Sequence, residues 1–410
     1  MMQSYDIVVV GGGMVGLTLA CALADTDLRI AIIEGHQPDP DLPQVPDNRV
    51  SALSRASENI LRNVQAWPGV ETRRQCRYQA MSVWEKDSFA KIEFDATSLN
   101  QTDLGTIVEN RVIQLALWER AKQLDNVSFF VPQTCQSMVT GESEVWLTLS
   151  NGQHITAKLL VGADGARSWV RQQASIPLTQ RDYGHHAIVA TVNTELSHQG
   201  VARQIFTDDG PLAFLPLPDE KQSSIVWSCS PERAQALMES DEASFCKQLS
   251  TAFDVQLGLC SLAGERSVYP LTMRFARDFI AQRVALIGDA AHTIHPLAGQ
   301  GVNLGILDAV SLAQELKQLW SDGKDIGVQR HLRSYERWRK AEATKMIAAM
   351  QGFRDLFEGQ HPLKKLVRGV GMRLVNDMPF AKESLIRRAL GIEGDMPELA
   401  VLKHTHNEAS

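Results

Sequence analysis

The feature that most constrains this 410-residue chain is a glycine-rich turn close to its N-terminus. An apolar run, Ile7–Val10, leads directly into Gly11-x-Gly13-x-x-Gly16, and helical spacing follows over Met14–Ala24. In such a turn the glycines allow a tight bend, a close approach of backbone to a ligand, and close packing of the helix on the strand. The order of strand, turn and helix therefore predicts a helix N-terminus prepared to receive phosphate.

The next predicted strand ends in an acid. Ile30–Ile33 is a second apolar run, and Glu34 closes it 23 residues after Gly11. A carboxylate at this place accepts hydrogen bonds from ribose hydroxyls and disfavours a ribose 2′-phosphate. The complete βαβ unit therefore predicts a site for FAD or NAD, and it argues against NADP in this cleft.

Composition narrows the class of protein. The chain is 44% hydrophobic and 22% charged, which is typical of a globular enzyme, and its length suffices for two packed domains. A net charge of −7 argues against a nucleic-acid partner, since phosphate backbones are bound through clustered Lys and Arg. The sequence shows no signal peptide, no run of about 18 apolar residues and no metal or disulfide spacing of its six cysteines. We expect a cytoplasmic protein, at most peripheral to the inner membrane.

Two further glycine-bounded turns follow short predicted strands. Gly162-Ala163-Asp164-Gly165 comes after Leu159–Val161, and Gly288-Asp289 opens a longer motif that runs through Pro296 to Gly299–Asn303. Asp289 is placed to bind the ribityl hydroxyls of a flavin. A helix predicted over Val302–Leu319 directs its N-terminus at the pyrimidine end of the ring. These two motifs favour FAD over NAD.

The three motifs in register, over roughly residues 5 to 340, resemble the group A flavin monooxygenases, the family of para-hydroxybenzoate hydroxylase. The resemblance implies one FAD, no metal, NAD(P)H as a transient reductant and O2 as co-substrate. It implies a flavin C4a-hydroperoxide as the oxidant, with the cofactor doing the chemistry and no certain catalytic side chain. The implied fold class is α/β: a Rossmann-like FAD-binding domain, an inserted mostly antiparallel β-sheet substrate domain and a C-terminal helical segment.

The resemblance also assigns site residues. Many members have an Arg near residue 110, where this chain has Asn110 followed by Arg111, so Gln114 is the residue we carry forward there. Phe214 and Pro296 are candidates for the wall of the substrate pocket. The ADP half of FAD falls to Gly11, Gly13, Gly16 and Glu34, the ribityl chain to Asp289, the pyrophosphate and nicotinamide contact to Asp164, the flavin side to Arg49, and the ring to Pro296, Gly299, Gln300, Gly301, Val302 and Asn303.

Alternating strand-formers predict where the second domain is inserted. They occupy two blocks, at about 78–98 and 182–262, and helical spacing is seen at 51–64 and 112–124. We expect the FAD-binding domain at 1–75, 99–178 and 265–340, the substrate domain at 76–98 and 179–264, and the C-terminal helical region at 341–410.

Within the family, the chain resembles the ubiquinone-biosynthesis hydroxylases, the 2-octaprenylphenol hydroxylases most of all. Segments such as Val50–Leu53, Val108–Asn110 and Met350–Phe357 carry this resemblance. It implies a lipophilic polyprenylphenol substrate and other ubiquinone-biosynthesis proteins as partners, and it leaves a homo-oligomer open. The segment from His361 to Gly391 contains seven Lys or Arg and two acids. This excess of positive charge suits an anionic membrane surface or an acidic partner protein as well as a solvated helical face.

Several alternatives stay open at this point. A sibling hydroxylase would act at another ring position, on a methoxyphenol or a demethoxyquinol. A non-catalytic assembly factor would keep the FAD fold without turnover. A flavin halogenase is disfavoured because the chain has no Trp-x-Trp-x-Ile-Pro run, and His292 with His295 lacks a third ligand for a metal.

Overall fold

The computed structural model describes residues 3–88, 91–294, 301–357 and 394–402. These residues form an α/β structure, which confirms the predicted fold class. The helices are α1 (Met14–Ala22), α2 (Arg55–Asn63), α3 (Trp67–Glu71), α4 (Asn110–Lys122), α5 (Trp169–Gln173), α6 (Pro231–Glu239), α7 (Glu242–Ala252), α8 (Gly301–Ser321) and α9 (Arg333–Phe357). The strands are β1 (Gln3–Val10), β2 (Ile30–Ile33), β3 (Val50–Leu53), β4 (Gln75–Tyr78), β5 (Ala80–Glu85), β6 (Lys91–Asp95), β7 (Gly105–Glu109), β8 (Val127–Phe130), β9 (Cys135–Thr140), β10 (Val145–Leu149), β11 (His154–Gly162), β12 (Leu178–Thr194), β13 (Val201–Thr207), β14 (Gly210–Pro216), β15 (Gln222–Cys229), β16 (Cys260–Leu262), β17 (Ser267–Ala276), β18 (Ile280–Ala281), β19 (Val284–Leu286) and β20 (His292–Thr293).

The first sheet has a parallel centre, in the order β19-β11-β1-β2-β8. Ile7, Val8 and Val9 of β1 are 0% exposed. Helices cover both faces of a parallel sheet, so a strand at its centre is stable when all of its side chains are apolar. β18 is added antiparallel at one edge, and β9 and β10 form a meander on β11. Helices α1, α4 and α8 pack on this sheet and share its apolar core.

The second sheet follows the order β20-β17-β12-β15-β14-β13-β5-β6, with β16 on β12. Its pairs are antiparallel except β13 with β5. Odd and even residues of each strand point to opposite faces. One face is covered by α6 and α7, where Ile188, Leu212 and Trp227 meet Phe245 in an apolar core. The other face turns toward the first domain, where the Thr191 hydroxyl donates to the carbonyl of Pro46.

A small third sheet has the order β3-β7-β4. Asn303 of α8 fixes its first strand, since the Asn303 amide donates to the Ala52 carbonyl at 2.8 Å. Within the ranges that the structure describes, no helix is long and apolar enough to cross a bilayer.

The predicted elements differ from the structure in three places. Residues 51–53 belong to strand β3, and the helix begins only at Arg55. Block 182–262 contains α6 and α7 as well as strands. Strand β17 extends the antiparallel sheet beyond the predicted boundary at 264. Of the predicted C-terminal helical region, α9 and residues 394–402 are described, whereas the basic segment 361–391 lies outside the described residues.

Candidate active site

The three sequence motifs meet at the carboxyl ends of the central parallel strands. The Ala163 amide donates to the Val10 carbonyl at 2.8 Å, and the Ile287 amide donates to the Gly162 carbonyl at 3.0 Å. The turns that follow β1, β11 and β19 are therefore neighbours along one edge of the sheet. Ligands of open parallel sheets bind at this edge.

The glycines of the first turn have different environments. Gly11 has φ +111°, and a Cβ there would lie 2.4 Å from the Ala163 carbonyl oxygen. A Cβ on Gly16 would lie 2.1 Å from the Gly11 carbonyl oxygen, so this glycine lets α1 pack on the turn. A Cβ on Gly13 would meet nothing within 4 Å. Gly13 is also the uncapped N-terminus of α1, so this residue presents open space and free N–H groups to a phosphate.

Glu34 and Gln114 hold the glycine turn in place. The Glu34 carboxylate accepts from the Gly12 amide at 2.7 Å and from the His36 amide at 3.0 Å. The Gln114 side-chain amide donates to the Gly12 carbonyl at 2.8 Å. Each carboxylate oxygen keeps a further lone pair for a ribose hydroxyl.

Asp164 and Arg171 organise the second turn. One Asp164 carboxylate oxygen accepts from the Val170 amide at 3.1 Å, and the other is buried without a partner among the described residues. Arg171 donates to the Ala166 carbonyl at 3.0 Å and to the Ala290 carbonyl at 2.8 Å. Burial lowers the pKa of Arg171, although the Asp164 charge opposes this shift. Arg171 thus connects the second motif to the third.

Asp289 lies among positive charges in the cleft. The residue keeps an exposed surface, yet the surrounding protein desolvates its carboxyl group and raises the pKa. The charges of His292, Arg49 and Arg274 act in the opposite direction. Arg49 itself lies 5.7 Å from the ring centre of Tyr269.

Sequence reasoning missed Arg274 and Tyr269. Both lie on β17, and the pairing of Arg274 with Thr293 brings this strand to the third motif. An isolated Arg in a strand carries no local signal of a cleft, so only the strand pairing exposes its position.

A buried charged network lies beneath Asp289. The Asp308 carboxylate is 2.6 Å from His292 Nε2 and accepts from Arg339 Nε at 2.7 Å and from the Gly288 amide at 3.0 Å. Burial alone raises the pKa of Asp308, but the charges and hydrogen bonds of His292 and Arg339 outweigh burial and hold it below its ordinary value. This network fixes the turn that carries Asp289. It was not predicted, although His292 stands in the third motif and Asp308 follows that motif closely.

The predicted flavin-ring segment is described only in part. Pro296, Gly299 and Gln300 lie outside the described residues. Gly301 and Val302 open α8. The Asn303 side chain accepts from the Ser54 amide at 3.0 Å and donates to Ala52, so its amide group joins α8 to β3.

A narrow pocket adjoins β3. We expected Phe214 to form part of the wall of the substrate pocket, but Phe214 does not line this one. The Phe214 ring is buried on the helical face of the sheet and stacks on Phe253, with ring centres 3.8 Å apart. Its neighbour Leu215 points to the other face. The pocket is lined by Ala52, Tyr78, Met81, Ile107, Ala202, Arg203, Gln204, Ala213 and Leu215.

These residues fit FAD. The open space at Gly13 suits a pyrophosphate, and the free Asp164 oxygen suits a hydroxyl donor. Glu34 and Asp289 carry carboxylate acceptors, which the sequence predicts at the adenosine ribose and at the ribityl chain of FAD. Among the residues that the structure describes, no group of three metal-ligating side chains lies together.

The comparisons with known proteins agree with this geometry. The family model described as "FAD binding domain" matches residues 4–350. The mitochondrial ubiquinone biosynthesis monooxygenase COQ6 of Xenopus tropicalis is 36% identical, over 93% of this chain and 92% of that protein. The 3-demethoxyubiquinol 3-hydroxylase of Escherichia coli K12 is 36% identical, over 95% and 99%. The solved structure of p-nitrophenol 4-monooxygenase PnpA from Pseudomonas putida DLL-E4 has a TM-score of 0.77 at 19% identity and covers 96% of this chain and 99% of that chain.

The fold, the FAD-binding family model and the curated relatives together define an FAD-dependent monooxygenase. Two relatives at 36% identity, aligned over nearly their full length, narrow the class. The chain belongs to the ubiquinone-biosynthesis hydroxylases of the FAD-binding monooxygenase family, which confirms the family predicted from the sequence motifs.

Proposed function

We propose that this enzyme hydroxylates the aromatic ring of a polyprenylphenol intermediate in aerobic ubiquinone biosynthesis, with O2 as co-substrate and NAD(P)H as transient reductant. The observation that carries the proposal is the apolar pocket beside the flavin motifs. Apolar side chains dominate its walls, and Tyr78 and Gln204 supply its polar groups. A lipophilic phenol needs this combination of apolar wall and a few oriented polar groups. The pocket is nearly closed, with a free volume of about 10 Å³, so its walls must part to admit the ring.

The pocket is connected to the flavin-ring segment through Ala52. Ala52 lines the pocket, and its carbonyl accepts from Asn303, which we assign to the flavin ring. Burial, with the nearby charges of Glu58 and Asp103, raises the pKa of Tyr78, so its hydroxyl stays protonated and able to donate. An aromatic ring held at Ala52 therefore lies next to the ring segment.

FAD, when bound, supplies the activation of O2 and the oxygen atom that is transferred. The side chains of this protein bind and orient. The glycine turn and Glu34 hold the ADP half, Asp164 the pyrophosphate region, and Asp289 the ribityl chain. Leu215 and Met81 exclude water from the reacting ring.

A second candidate is a sibling step at another ring position. It is favoured by the similarity to the E. coli protein named 3-demethoxyubiquinol 3-hydroxylase. Both candidates share the cofactor site and differ in which ring carbon faces the flavin.

The test is mass spectrometry of quinone intermediates in aerated cells that lack the gene. We expect an unhydroxylated polyprenylphenol to accumulate, with rescue by the wild-type chain and by Asp125→Ala, an exposed control acid, but not by Asp289→Ala. A methoxylated or demethoxyquinol intermediate would instead assign the sibling step. Rescue by Asp289→Ala would show that the Asp289 carboxylate is not needed for this step and would remove it from the proposed site.

We also propose that a lipid substrate reaches the enzyme at a membrane surface or from other ubiquinone-biosynthesis proteins. The lipophilicity of the proposed substrate and the basic composition of 361–391 support this. Purified enzyme should then need vesicles or partner proteins for full turnover. Full turnover of a short-chain prenylphenol by the isolated protein with NAD(P)H would contradict the proposal.

A further inference from the structure

A second cleft lies on the helical face of the antiparallel sheet, about 560 Å³ in volume. Trp227 of β15 belongs to this face, since its ring lies 6.2 Å from that of Phe245 in α7. The flavin-side contacts of the sheet come from the opposite face, at Thr191. The cleft is lined by Lys86, Thr207, Asp208, Asp209, Trp227, Arg233, Ser244, Lys247, Gln248, Thr251 and Ala252.

Two buried donors among these residues have no acceptor. Trp227 is 2% exposed, and its Nε1–H makes no hydrogen bond within the described part of the chain. The same holds for the buried Nε–H of Arg233. Buried N–H groups are nearly always paired in native proteins, so two orphans in one cleft call for an acceptor.

The charges that line the cleft do not neutralise one another. Lys86 donates to the Thr251 carbonyl at 3.1 Å and lies 3.9 Å from Asp254. Among the described residues, neither Arg233 nor Lys247 forms an ion pair. Asp208 and Asp209, in the β13–β14 turn, also line the cleft.

Two of the charges that line the cleft act on the buried Cys229 thiol. Burial raises its pKa to about 11, with Asp209 adding to the shift and Arg233 opposing it. Asp209 and Arg233 therefore both lie near Cys229, which is on the strand that also carries Trp227.

We propose that this cleft binds a small molecule that carries an oxyanion, a carboxylate or a phosphate, whose oxygens accept from Trp227 Nε1, Arg233 and Lys247. The volume is that of a small-ligand site. An oxyanion supplies the missing acceptors and pairs with the free cations. Because the cleft and the flavin motifs lie on opposite faces of the sheet, the oxyanion and FAD bind at the same time.

The test is NMR of the FAD-loaded full-length enzyme with 15N-labelled tryptophan, titrated with inorganic phosphate and with citrate. NaCl at equal ionic strength is the reference. We expect one indole N–H signal to shift saturably, and Trp227→Phe to abolish that signal. Arg233→Gln should weaken binding about tenfold or more, because it removes a charged donor. Lys221→Gln, an exposed lysine outside the cleft, should leave the affinity unchanged.

Two results would overturn the proposal. One is the absence of a saturable shift with either anion beyond that seen in NaCl. The other is equal affinity in Arg233→Gln and the wild type. Arg233 is only half-buried, so its variant keeps the test decisive even where Trp227→Phe fails to fold. The tighter of the two anions identifies the oxyanion as phosphate or carboxylate.

Discussion

Gly11 and Gly13 stand two positions apart, yet a methyl group has different consequences at each. Gly11 adopts φ +111° against the Ala163 carbonyl, so alanine there is strained as well as crowded. Gly13 adopts φ −81° and ψ 179°, which any residue tolerates, and its Cβ would face open space. The fold requires a glycine at position 11. At position 13 we propose that the FAD pyrophosphate, which approaches the turn there, requires it.

Alanine at Gly13 should separate folding from cofactor binding. We expect Gly13→Ala to change the free energy of unfolding by less than about 0.5 kcal/mol. Its methyl group should obstruct the pyrophosphate and raise the Kd for FAD at least about tenfold, or ~1.4 kcal/mol. Flavin fluorescence quenching and urea unfolding measure the two quantities.

Gly11→Ala and Gly352→Ala are the two control variants for that experiment. Gly11→Ala should destabilise the protein by about 2 kcal/mol, because strain and contact add. Gly352→Ala, with open space in α9, should leave FAD binding unchanged. Unaltered FAD affinity in Gly13→Ala would remove that glycine from the proposed site.

Asp308 makes the free energy of unfolding depend on pH in the acid range. Its pKa is below the ordinary value in the folded protein, so its contribution is complete above the unfolded value of about 3.9 and is lost as pH falls through the lower, folded value. Asp308→Asn should cost about 3–5 kcal/mol at pH 7, because it leaves Arg339 buried without its charged partner.

Urea unfolding between pH 7 and 3 measures this effect. Below about pH 4 the wild type should lose stability more steeply than Asp308→Asn, since only the wild type has this carboxylate to protonate. Asp125→Asn, an exposed control, should follow the wild type. Parallel curves for wild type and Asp308→Asn would contradict the assigned pKa direction.

At the scale of elements, Arg171 joins α5 to the turn after β19. A lysine in its place has one nitrogen and lacks the planar fork whose two nitrogens reach Ala166 and Ala290 separately, so these hydrogen bonds are weakened or lost. We expect Arg171→Lys to destabilise the protein by about 1–3 kcal/mol and to weaken FAD binding. Arg167→Lys, in the same turn but exposed, should change neither. Equal melting temperatures of the two variants would argue against the connection.

The elements that could be predicted from sequence are those with local signals. The glycine turn marks the end of β1, and the apolar run of β1 is long enough to identify a buried strand. The prediction of a helix at residues 51–53 was wrong. These residues pair with β7, which lies far along the chain, and this pairing prevails over their helical spacing. Helices α6 and α7 did carry a signal, since Ser230 and Asp241 cap them.

Side-chain direction limited the prediction of the pocket. Phe214 and Leu215 are neighbours on one strand, so their side chains point to opposite faces of the sheet. The sequence does not show which of the two faces lies toward the flavin. The pairing of β14 with β15 settles it, because Phe214 stands opposite Ile225 in the helical core. The motif glycines and acids need no such information, since their turns set their positions. Their contacts with FAD stay predictions.

At the scale of the molecule, a C-terminal segment is fastened to the FAD-binding domain. Asn63 of α2 donates to the Leu399 carbonyl at 2.8 Å and to the Val401 carbonyl at 3.0 Å. Asn59 donates to Ala400 at 3.0 Å, and Gln314 of α8 accepts from the Glu398 amide at 3.0 Å. Segment 398–401 therefore connects α2 with α8.

Loss of these amides should loosen the segment without unfolding the enzyme. We expect Asn59→Ala with Asn63→Ala to cost about 1–3 kcal/mol and to speed backbone hydrogen exchange at 398–401. Gln256→Ala, an exposed amide elsewhere, should do neither. Unchanged exchange at 398–401 in the double variant would show that other contacts hold the segment.

The order of strands in the first sheet differs from their order along the chain. β1 lies between β2 and β11, and β11 lies between β1 and β19, whose last residue is Leu286. At about 5–20 residues per second, a ribosome needs roughly 15–60 s to deliver that last parallel strand. For most of its own synthesis the nascent chain therefore carries an apolar strand with an unpaired edge, the kind of edge through which chains aggregate before folding is complete.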